Sequence, residues 1–105
     1  MEQPNLSYIE SMSGGDKSFE KKIIDIVKKE FPEEVKTYRE NSNSDNFKLM
    51  AENVHKLKHK ISILGLEKSY DTATAFENDL FDGDISLKEE FESILNLMQN
   101  YLNEL

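Results

Sequence analysis

From Phe47 to Leu64 the apolar residues Phe47, Met50, Val54, Leu57, Ile61 and Leu64 follow one another at steps of 3, 4, 3, 4 and 3. Side chains so spaced lie along one face of an α-helix, whereas a half-buried strand needs strict alternation. The spacing therefore predicts a helix over about 45–64, ended by Gly65 and obliged to bury its seam against other helices. The same periodicity recurs in Phe19, Ile23, Val27, Phe31, Val35 and Tyr38, in Leu66, Tyr70, Ala73, Phe76 and Leu80, and in Leu87, Phe91, Ile94, Met98, Tyr101 and Leu105. Nowhere does a strand pattern appear.

These stretches predict long helices over about 16–40, 45–64, 66–81 and 86–104, with a short N-terminal helix over about 5–12. The predicted fold is all-α: an antiparallel up-down four-helix bundle with one short extra helix, in a single domain spanning 1–105. Asp16 is expected to cap the first long helix, and Ser86-Leu87-Lys88-Glu89 to open the last as a capping box. Pro32 lies inside the first long helix and predicts a kink or a short break there. At 105 residues with 37% hydrophobic content, the core must be thin and efficiently patterned.

Several kinds of chemistry are excluded early. There is no cysteine, hence no disulfide, thiol nucleophile or thiolate metal site. No Gly-x-Ser-x-Gly elbow, Walker loop or dinucleotide-binding glycine motif is present. A net charge of -8 argues against general nucleic-acid binding. The first residues lack the basic and apolar regions of a signal peptide, and no apolar run approaches a membrane span. A soluble cytoplasmic protein is the expectation.

Both histidines, His55 and His59, stand on the helix with the clearest seam. At about 100° per residue, His55 projects roughly 130° from the centre of the seam and His59 nearly opposite it, so neither belongs to the core. The pair then has three readings. It is two ordinary surface histidines in a lysine-rich stripe. Or it is a metal site, since the i, i+4 spacing aims two imidazoles at one ion and Glu52 is placed for a third ligand. A two-metal bundle centre needs a second Glu-x-x-His, however, and the chain has only Glu52-Asn53-Val54-His55, so no metal is expected. Or one exposed imidazole is a phosphoryl-accepting nucleophile, with Lys56, Lys58 and Lys60 near enough to stabilise phosphoryl oxygens.

His55-Lys56-Leu57-Lys58, followed by Gly65 and Leu66, resembles the histidine-containing phosphotransfer (HPt) domain, whose pattern is His-x-Leu-Lys-Gly and then Leu-Gly. Ser13-Gly14-Gly15-Asp16 is similar to the family's N-terminal Gly-Asp segment, and Phe31-Pro32 and Phe76-Glu77 to two later stretches. The resemblance implies that His55 is the phosphorylated residue, that Lys58 helps hold the phosphoryl group, that Leu57 is a core contact and that Gly65 ends the helix. The partner-contacting residues would be Glu52, Lys56, His59 and Ser62. It also implies a carrier, not an enzyme, passing phosphate between receiver domains that bring their own Mg²⁺, with no cofactor of its own. One departure stands out: the family's glycine four residues after the phosphohistidine is His59 here. A competing class is an unphosphorylated adaptor that docks receivers or partner helices through the same face. The bundle is complete in itself, which favours a monomer.

Charge is unevenly spread. Residues 54–68 carry four basic and one acidic side chain, a net +3, against -3 before them and -8 after. The one basic stretch is the helix bearing His55, and the expectation is that Lys56, Lys58 and Lys60 together meet an acidic partner.

Overall fold

The computed structural model describes residues 2–105 and is all-helical among them. Five helices follow in order: α1 (Ser7–Ser13), α2 (Lys17–Asn43), α3 (Phe47–Ile63), α4 (Glu67–Leu80) and α5 (Lys88–Asn103). The four long helices close on themselves, α2 against α3, α3 against α4, α4 against α5 and α5 back against α2, while α1 lies on α2. At 1.5 Å per residue α2 spans about 40 Å. It accounts for most of the 43 Å long axis of the molecule.

The seams meet in one continuous core. Val27, Phe31 and Tyr38 of α2 pack with Met50, Val54, Leu57 and Ile61 of α3, Ala73, Phe76 and Leu80 of α4, and Phe91, Ile94 and Met98 of α5. Leu95 and Leu102 are buried too, which widens the apolar stripe of α5 beyond its predicted seam. The Phe91 ring stands 5.4 Å from Tyr38 and 5.2 Å from Phe76, centroid to centroid, tying three helices at one level. Phe19 leaves the expected pattern, being 41% exposed. With 27 residues against 16 or 17 in α5 and α3, α2 is longer than its neighbours.

Several boundaries differ from expectation for local reasons. α2 continues through Pro32 without a break, because Phe31 and Tyr38 stay buried on either side and outweigh one missing backbone hydrogen bond. It also runs on through Asn41, Ser42 and Asn43, where the sequence predicts a loop. Ser42 is buried, and the Asn41 amide donates to Asn53 Oδ1 on α3 at 2.6 Å. Asp16 caps α2 by accepting from the Phe19 N–H, and Asn46 caps α3 by accepting from that of Leu49. The Ser86 capping box does not form. The α5 helix starts at Lys88, and the Ser86 hydroxyl and N–H both donate to Asp84 Oδ1, folding a local turn ahead of the helix.

At the α3–α4 corner Gly65 adopts φ +75°, and a Cβ there would stand 2.7 Å from the side chain of Asn5. The N-terminal segment is pinned at this corner. Asn5 N–H donates to the Leu64 carbonyl. Leu66, at the head of α4, has no side chain able to cap it, and Glu2 serves instead: its two oxygens accept from Lys68 and Ser69 N–H at 2.9 and 3.0 Å. No helix among the described residues is long and apolar enough to cross a membrane.

Candidate functional site

Leu57 and Val54 anchor α3 in the core with no exposure. Their burial fixes the rotation of the helix, so that His55 projects at the edge of the groove between α3 and α4. Its side chain is 60% exposed, and Nδ1 lies 3.1 Å from Glu77 Oε2 on α4. The other oxygen of that carboxylate accepts from Lys58 Nζ at 2.9 Å. Lys58 is largely buried, its ammonium 5.1 Å from the centroid of Tyr70, an added cation–π contact. Residues 55 and 58 stand one turn apart on α3, and Glu77 bridges both.

This bridge decides the state of the imidazole. An ionised carboxylate only accepts hydrogen bonds, so the ring proton facing it sits on Nδ1. In the neutral ring the lone pair is then on Nε2, the nitrogen away from Glu77. The Lys58 ammonium, 2.9 Å from the carboxylate, offsets its charge. His55 is thus an oriented, largely exposed imidazole whose Nδ1 is taken up by Glu77.

Among the other expected site residues, Glu52 and Lys56 line a shallow recess of about 350 Å³ together with His55, Ala51, Glu77 and Phe81. Phe81, 69% exposed, forms its apolar rim. His59 is exposed one turn from His55, its ring edge-to-face at a centroid distance of 5.6 Å. Ser62 stands apart, lining a separate open cleft of about 850 Å³ with Asn5, Tyr8, Gly65 and Tyr70. Three or more side chains placed to hold a metal do not occur among the described residues, so Glu52 does not join the two histidines in a ligand set.

The expected single basic face is not present. Alternate residues on a helix point about 200° apart, which splits the lysines. Lys58 turns to α4 and Glu77, while Lys60 turns to α2, bonding Glu30 at 3.0 Å and Glu34 at 3.4 Å. Only Lys56 of the three is exposed. The partner that Glu77 gives His55 went unread in the sequence, although a signal existed. Tyr70, Ala73 and Glu77 stand at steps of 3 and 4, a stripe turned to α3 that contains one carboxylate.

The recess beside His55 is shallow, and the imidazole at its edge stays open to solvent. No family model, curated protein or solved structure matches this chain.

Proposed function

We propose that the chain is a cytoplasmic phosphotransfer carrier of the HPt type, a monomer whose helices form an antiparallel up-down four-helix bundle with α1 as an appendage. The observation that carries this reading is the contact between His55 Nδ1 and Glu77, which leaves Nε2 outward with its lone pair. In the transfer, Nε2 attacks the phosphorus of a receiver-domain phosphoaspartate. The N–P bond forms as the acyl P–O bond breaks, and the aspartate leaves as a carboxylate. The ring becomes cationic, Nδ1 keeps its proton, and Glu77 balances the charge. The reverse sequence delivers the phosphoryl group to a second receiver. Lys58 supports the step through Glu77. The receiver supplies the acidic pocket and Mg²⁺, and Glu52, Lys56 and His59 border the docking surface around the nucleophile. Ser62, two turns further along α3, lines a separate cleft and lies outside that surface.

Positioning and charge neutralisation dominate phosphoryl transfer, so so sparse a site is sufficient. Incubated with phosphorylated receivers from the same cell, the protein should acquire an acid-labile, alkali-stable phosphate. The label should be lost in His55→Gln and retained in His59→Gln. The second reading, an adaptor that docks without phosphate, is favoured by the exposed Phe81 beside the recess. Receiver binding without any label would establish it in place of the carrier.

A further inference from the structure

Resting on the carrier reading, we infer that His59 is the side chain that hydrogen-bonds the phosphoryl group once it is on His55. A phosphoryl group on Nε2 brings negatively charged oxygens that need donors, and two of the three neighbouring lysines are already engaged. Lys58 Nζ bonds Glu77 on α4, and Lys60 Nζ bonds Glu30 and Glu34 on α2. Glu77 itself, 3.1 Å from Nδ1, repels the oxygens from the α4 side. One turn along α3 the exposed imidazole of His59 stands edge-to-face with the His55 ring, at 5.6 Å between centroids. An imidazole carries at least one N–H donor in either protonation state. A turn of its side chain brings that donor to the phosphoryl oxygens, and its exposed position on α3 leaves it free to turn. A donor bonded to those oxygens in the resting phosphohistidine stabilises that state, so its loss shortens the life of the phosphoryl group.

The test uses phosphoramidate as donor: its P–N bond breaks, ammonia leaves, and the phosphoryl group passes to an imidazole. Decay of the phosphohistidine is followed by ³¹P NMR, with His55→Gln and His59→Ala assigning the two possible signals. On this inference His59→Ala shortens the life of phosphorylated His55 by about three- to tenfold, the scale of one hydrogen bond. His59→Gln, which keeps a donor, restores most of it, and Lys48→Gln, at an exposed α3 lysine outside the recess, leaves it unchanged. Equal lifetimes in wild type and His59→Ala overturn the inference alone, as does a loss that appears in Lys56→Gln instead. Failure of His55 to accept phosphate from phosphoramidate or from any receiver removes both this inference and the carrier reading.

Discussion

His55 Nδ1 and Glu77 Oε2 face each other across the α3–α4 groove at 3.1 Å. One half-buried carboxylate thereby orients an exposed imidazole and compensates a buried lysine. Removing it has two separable consequences. Glu77→Gln strands the Lys58 ammonium and should lower unfolding free energy by about 1–3 kcal/mol in urea titrations. It also frees the His55 tautomer and should slow phosphoryl acceptance. The pair Lys58→Met with Glu77→Leu should recover the stability without recovering acceptance.

Gly65 holds the α3–α4 corner in a conformation that other residues resist, against the side chain of Asn5. Gly65→Ala should cost about 1–2 kcal/mol from the positive φ alone, with the clash added. Asn5→Ala in the same chain should relieve only the clash, so thermal unfolding of the double variant should remain below wild type.

Tyr38 supplies an alkaline signature. Burial, then the charge and hydrogen bond of Glu92, push its hydroxyl far above the ordinary tyrosine range, with Arg39 opposing weakly. A folded-state value raised above the unfolded one leaves stability intact below about pH 10 and erodes it as pH rises further. The loss should approach about 1.4 kcal/mol for each unit above 10. Urea unfolding at pH 8 and 11 should show this fall in wild type, and Tyr38→Phe should show less of it.

Glu2 gives an acid signature. Slight burial works against its ionisation, but the N–H groups of Lys68 and Ser69 outweigh it and hold the carboxyl below its ordinary value. The cap is therefore present above the unfolded-state value of about 4.3 and lost as pH falls through the folded-state one. Glu2→Ala should cost about 0.5–1 kcal/mol at pH 7, the scale of an N-cap. The difference from wild type should narrow as the pH falls below that unfolded-state value.

Much of the fold was legible because burial follows periodicity. Each of Met50, Val54, Leu57, Ile61 and Leu64 in the guiding seam is buried, and the exposure of His55 and His59 followed from that seam alone. Charge was less legible. The lysines at 56, 58 and 60 look like one patch in the chain, yet the helix turns Lys58 and Lys60 to opposite neighbours. Ser86 shows the same limit at short range. It carries the right spacing for a cap, but Asp84, two residues before it, bonds it first.

The sequence by itself determined that the chain is helical, where each seam lies, and that two imidazoles stand outside the core. Those follow from interactions within one helix and its apolar period. Tertiary structure alone decided which nitrogen of His55 faces solvent, that Lys58 is paired, and that Glu2 caps a helix 66 residues away. Such contacts join residues of different elements, and no periodicity within one element encodes a partner on another.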